Sequence, residues 1–183
     1  MADVKIQTGD LLFFRPTGWF GRIVCWLTRS RYCHVGIAEV DSRNDTIWIV
    51  HFMNDGFRYE RLCDVELAWP GSAEVFRVKA ITQLQRNVAA AYMRDRKGER
   101  YGYFHVVVTG LLRLVPRWVA RNCFQAECER PNPHCSEAVC WAYRHAVVDL
   151  VETKPDWNTA PGDIVKSKKV EKVNCAYSTC NTS

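Results

Sequence analysis

What the 183-residue chain lacks narrows it first. No apolar run approaches the roughly 20 residues that cross a bilayer, so a spanning helix is not expected. The opening Met1-Ala2-Asp3-Val4-Lys5 has no basic stretch followed by an apolar one, and no secretory signal is read there. Lys and Arg number 25 against 20 Asp and Glu, for a net charge of +5, and they are scattered along the chain. That argues against a nucleic-acid partner and leaves an anionic substrate, a wall polymer or a membrane surface open. No internal repeat is present beyond an echo of Gly9-Asp10 at Gly162-Asp163.

Cysteine, by contrast, is plentiful: nine residues, an odd number. Without an export signal most are expected to be reduced and buried, although Cys175 and Cys180, in a polar tail, stay open as a pair. A zinc site built from Cys123, Cys128, Cys135 and Cys140 is disfavoured, because zinc ribbons and fingers want ligand pairs two to four residues apart. No metal or other cofactor is expected.

Hydrophobic residues make up 48% of the chain, enough for one core. We read residues 1–166 as one α+β domain and 167–183 as a polar, loosely ordered tail. Gly9-Asp10 turns into a short buried strand at Leu11-Leu12-Phe13-Phe14. Helical spacing of Trp19, Phe20, Ile23, Val24 and Leu27 predicts a helix over 19–28. Strands are expected at 34–40, 46–52, 57–62 and 73–79, with a turn at Asn54-Asp55-Gly56, and a helix at 83–96. A further helix is expected from about Gly110. The helix opening near Cys135 is expected to run to about Val151, and the Pro161-Gly162-Asp163-Ile164-Val165 stretch to form a final strand.

The chemistry gathers around Pro133-His134-Cys135-Ser136-Glu137-Ala138-Val139-Cys140. A cysteine in the first turn of a helix faces free amide groups, which favour thiolate and can hold an oxyanion. Its base is sought about 100 residues earlier, at His34, which opens a strand. A third polar group is needed to orient that base. If a four-residue loop, 41–44, closes the hairpin, His51 stands directly opposite His34. A five-residue loop turns His51 away, and Asp55 and Glu60 remain open as orienters. A buried cysteine is by itself more often a small hydrophobe than a nucleophile. His105 and His145 have no assembled partners and are expected to contribute packing or solvent contacts.

Gly9-Asp10-Leu11-Leu12-Phe13, Ser30-x-Tyr32-x-His34-Val35-Gly36-Ile37 and Cys135-Ser136-Glu137-Ala138-Val139 together resemble the circularly permuted branch of the NlpC-type papain-like hydrolases, related to the lecithin–retinol acyltransferase group. The resemblance spans residues 8–165. It implies a permuted papain-like fold, an antiparallel sheet packed against the nucleophile-bearing helix. It also implies a cysteine peptidase or amidase with Cys135 as nucleophile, His34 as base and acid, and His51 as orienter. Tyr32 and Tyr101 are the candidates to line the cleft. Where many relatives carry Tyr-Asp, this chain has Tyr101-Gly102, so specificity is expected to differ. The substrate implied is a peptide, peptidoglycan or lipid-type molecule, and the setting is a cytoplasm or a virus or phage particle. Two other readings stay open: a lipid acyltransferase or phospholipase, suggested by Trp19, Phe20 and Trp26, and a non-catalytic binding or virion structural protein.

Overall fold

A computed structural model describes residues 4–102 and 132–175. Six strands form one antiparallel sheet: β1 (Leu11–Phe14), β2 (His34–Asp41), β3 (Thr46–Met53), β4 (Gly56–Arg61), β5 (Ala73–Val78) and β6 (Val170–Lys172), in the spatial order β4-β3-β2-β1-β5-β6. The helices are α1 (Trp19–Thr28), α2 (Leu62–Ala68), α3 (Gln83–Asp95), α4 (Cys135–His145) and α5 (Pro161–Val165). No helix among the described residues is long and apolar enough to cross a membrane.

β1 reads as an unbroken apolar run because both faces of the sheet are covered at its centre. Leu11 and Phe13 point to the side where Val35, Ile37 and Val50 meet Ala89 and Met93 of α3 and Ala138, Val139 and Tyr143 of α4. Leu12 and Phe14 point the other way, into a second cluster with Ala38, Ile49, Val75 and, from α2, Leu62 and Val65.

The Gly9-Asp10 turn is a structural joint. Asp10 is fully buried. Its carboxylate accepts from Arg77 Nε (2.8 Å) and Nη2 (2.7 Å) and from the Gln7 amide (2.9 Å), with Arg86 Nη1 at 3.5 Å. Gly9 has φ +87°, and a Cβ there would meet the Cβ of Arg86 at 2.7 Å. The Tyr143 hydroxyl of α4 donates to the Gly9 carbonyl. One turn thus ties β1 to β5, α3 and α4. Asp10→Ala is expected to cost about 3–5 kcal/mol, because it strands buried guanidinium charge. In a chain of this size that lowers the melting temperature by about 10 °C. A thermal melt of the variant that shifts by less than 2 °C or so would sink the clamp.

Several expectations are corrected. Residues 161–165 form the helix α5, not a strand; Pro161 sits at its first position, where it suits a helix. α4 ends at His145, not near Val151. The short helix α2 was not anticipated. The tail begins later than residue 167, since Val170–Lys172 pair with β5 as β6. His145 packs as anticipated, its ring stacked on Tyr92 at 3.9 Å between centroids. The expected helix near Gly110, and His105, Cys123, Cys128 and Cys180, lie outside the described residues. Cys175 is a free thiol.

Candidate active site

β1 ends at Phe14, β2 begins at His34 and β3 ends at Met53, so three strand ends lie at one edge of the sheet. The start of α4 and one side of α1 arrive at the same edge. Between them lies a cavity of about 230 Å³, with Cys33, His34, Tyr101, His134, Cys135 and Ser136 among its walls.

α4 starts at Cys135 because His134 caps it. The His134 Nδ1 accepts from the Glu137 amide (3.1 Å), and the Glu137 carboxylate accepts from the His134 amide (3.4 Å). This is a capping box with histidine in the usual Ser/Thr place. Accepting at Nδ1 leaves the ring proton on Nε2, which donates to the Trp157 carbonyl (3.2 Å). The Ser136 hydroxyl donates to the Thr159 carbonyl (2.6 Å). Residues 157–159 therefore pin the first turn of α4 from outside. The role of His134 was missed in the sequence, although Glu137 three residues on is the signal that betrays a cap.

Burial is the largest influence on the Cys135 thiol; the nearby backbone amides of Val35, Ser136 and Cys135 and the Tyr101 hydroxyl act the other way, toward thiolate. Burial wins, so the thiol pKa is raised. The amides at the helix start act toward thiolate, as anticipated, but do not prevail over burial.

His34 stands at the start of β2 against the ring of Phe14. Its Nε2 lies 2.9 Å from His51 Nδ1, and His51 Nε2 lies 3.0 Å from Glu60 Oε2. The hairpin register that achieves this is neither of the two anticipated. Asp41 pairs with Thr46 and Ile37 with Val50, leaving a four-residue loop, 42–45. Asp41 and Asn44 brace it by accepting from the amides of Arg43 and Thr46, and Asp45 takes φ +54°. The shift of two residues keeps His51 on the face of His34 but sets it on the diagonal, across from Gly36. A Cβ on Gly36 would come within 2.8 Å of the Cβ of His51. The glycine leaves the room through which the two rings meet.

Glu60 fixes the protons along this chain. His51 Nε2 and Arg58 Nη1 (2.8 Å) donate to its carboxylate, and the hydrogen bond from His51 leads in pulling its pKa down to about 2. A permanent acceptor at His51 Nε2 holds the proton there and leaves His51 Nδ1 as acceptor. His34 then donates from Nε2, and its Nδ1 carries the one free lone pair. Burial first, and the charge of His51 second, push the His34 pKa well below the usual imidazole value. Burial lowers His51 as well, against the opposing pull of Glu60. Both rings are neutral at neutral pH. Asp55, the other candidate orienter, is bound to Arg58 instead.

The two tyrosines part company. Tyr101 lines the cavity, whereas Tyr32 is not among its walls. The Tyr32 hydroxyl donates to Glu74 Oε2 (2.9 Å), and its ring packs on Phe13 and Phe76, which corrects its placement in the cleft. Cys33 reaches the cavity, and its thiol donates to the Phe14 carbonyl (3.7 Å). Among the described residues no group of three or more His, Cys, Asp or Glu is arranged to hold a metal ion.

The fold is similar to that of a solved structure described as metalloprotein yiiX from Escherichia coli O157:H7, DUF1105, with a TM-score of 0.69. The likeness covers 96% of this chain and 100% of that one at 16% identity, and at that identity it is a likeness of fold. No protein-family model matches the chain, and comparison with curated proteins finds no significant match.

Proposed function

We propose that the chain is a cysteine hydrolase of permuted papain-like arrangement, cleaving an amide or peptide bond through an acyl-enzyme. One observation carries the reading. Cys135, at the first residue of α4, and His34, whose ring is held by His51 and Glu60, face the same cavity. In the proposed reaction His34 Nδ1 takes the thiol proton as the sulfur attacks the carbonyl carbon. The carbonyl π pair moves to oxygen, and in this proposal the Cys135 amide at the helix start donates to it. His34 returns the proton to the leaving amine as the C–N bond breaks; water then attacks the acyl carbon as His34 takes its proton, the C–S bond breaks, the acid leaves and the proton returns to the Cys135 sulfur. The metal in the description of the solved relative finds no matching ligand cluster among the described residues, and no step runs through one.

A second reading has its own support. Phe14, Phe20, Val24, Phe52 and Trp69 give the cavity apolar walls, which suit the acyl chain of a lipid ester better than a wall peptide.

The test is an acyl-type activity probe followed by mass spectrometry, with wall peptides and phospholipids as competitors. The adduct is expected on Cys135. Because the thiol starts protonated and the base starts neutral, two pH profiles should diverge. Labelling of Cys135 by iodoacetamide, which needs free thiolate, is expected to rise only above the ordinary thiol range of about pH 8.5. Turnover, driven by neutral His34, should persist below about pH 6.5 and fall only as the depressed His34 pKa is passed. Fast selective alkylation of Cys135 near pH 5.5 would instead show a standing thiolate–imidazolium pair.

A further inference from the structure

The helix α1 is poorly supported by the protein it belongs to. None of its ten residues is fully buried, its N-cap Gly18 offers no side-chain cap, and its C-cap is Arg29 in the left-handed region at φ +50°, where glycine is preferred. A helix this short is marginal unless something packs on it. The side formed by Phe20, Gly21, Val24 and Thr28 lines the cavity. On the opposite side, at i, i+4 and i+7, stand Trp19 (74% exposed), Ile23 (44%) and Trp26 (72%).

The charge along this stretch of the sequence is of one sign. Between Asp10 and Glu39 the sequence contains no acidic residue, while Arg22, Arg29 and Arg31 are exposed on α1 and just beyond it. Tryptophan beside arginine on an amphipathic helix is the chemistry of the bilayer interface, where the indole sits at headgroup level and guanidinium meets phosphate. A second protein copy fits less well. Ten residues make a helix about 15 Å long, and one side of it falls far short of the roughly 800 Å² that each partner contributes to a stable interface.

We propose that the Trp19–Ile23–Trp26 face of α1, ringed by Arg22, Arg29 and Arg31, docks the protein on an anionic phospholipid bilayer. α1 then lies flat in the interface, with its other side forming the cavity wall. A single helix thickness, about 10 Å, separates the lipid surface from the cavity. The docking does not depend on Cys135 being a nucleophile, and the experiment below reads binding without turnover.

The full chain is sedimented with vesicles of phosphatidylcholine alone and of phosphatidylcholine with about one-third phosphatidylserine. Binding is expected on the anionic vesicles, weakening as salt is raised. Trp19→Ala with Trp26→Ala should lower the partition coefficient about tenfold or more. Arg22→Gln with Arg29→Gln should lower it about fivefold for each arginine removed, on anionic vesicles only. All these side chains are exposed, so melting curves should match the unsubstituted chain and separate lost docking from lost folding. Absence of the protein from the anionic vesicle pellet overturns the proposal, as does undiminished binding of the double tryptophan variant. A concentration-dependent dimer that the tryptophan substitutions disperse, without vesicle binding, would assign the face to a second copy and overturn it equally.

Discussion

Cys135→Ser is expected to lower turnover by about 10³- to 10⁶-fold while leaving the fold in place. The sulfur is the only atom exchanged, and the donors around it, the amides of Val35 and Ser136 and the Tyr101 hydroxyl, can bond an oxygen as well. A hydroxyl is a much weaker acid than a thiol, however, and a base whose pKa lies below that of ordinary imidazole cannot deprotonate it usefully. His34→Ala should fall into the same range, because the thiol begins protonated and His34 is its proposed base. Cys140→Ser is the control. Cys140 is buried within α4, away from the cavity walls, so its replacement should cost stability of about 1–3 kcal/mol and spare turnover per folded molecule. Steady-state rates and melting curves on the three variants decide it. Full activity in Cys135→Ser would remove the nucleophile from this position, and Cys33, which lines the same cavity, would be the next thiol to replace.

How far the sequence could be read depended on the range of the interaction involved. The helices at 19–28 and 83–95 and the strands β2 to β5 are written in local periodicity, and they were legible. The start of α4 at Cys135 was legible too, from the apolar pattern that follows it. α5 was not, because Pro161-Gly162-Asp163 echoes Gly9-Asp10 in composition but not in circumstance. Gly9 is a left-handed turn against Arg86, whereas Gly162 packs its missing Cβ against Ser30 inside a helix. The β2–β3 register escaped because it rests on side-chain caps from Asp41 and Asn44 and on one positive φ at Asp45, features that no alternation of hydrophobic residues encodes. Tyr32 was misplaced for a similar reason. Its partner Glu74 lies 42 residues away on β5, and only the pairing of β1 with β5 brings the two together. The direction of the net Cys135 shift was not legible, because the dipole is visible in a sequence and the burial that outweighs it is not.

Glu60→Gln separates a simple Cys–His dyad from the longer chain, and it is expected to damage turnover more than the distance of Glu60 from the cavity suggests. A carboxylate can only accept, so it holds the His51 proton on Nε2 and, through Nδ1, keeps a proton on His34 Nε2. A glutamine amide can donate. When its NH₂ faces His51 Nε2, the His51 proton moves to Nδ1 and points at His34 Nε2. His34 must then carry its own proton on Nδ1, and the lone pair proposed to take the Cys135 proton is gone. The comparable amide-for-carboxylate exchange in serine proteases, which traps the wrong tautomer, costs about 10⁴-fold. Allowing for the population with the glutamine carbonyl turned inward, we expect a loss of about 10²- to 10⁴-fold in kcat with little change in KM. His51→Ala removes the orienter without imposing the wrong tautomer, so it should cost less than Cys135→Ser, and His51→Gln should recover part of the rate. The signature is the ring proton itself: nitrogen-15 shifts of the His34 and His51 imidazoles should report Nε2–H on both rings in the parent and a move to Nδ1–H in Glu60→Gln. Parent-level kcat in Glu60→Gln, with the imidazole tautomers unmoved, would leave His34 working without the chain behind it.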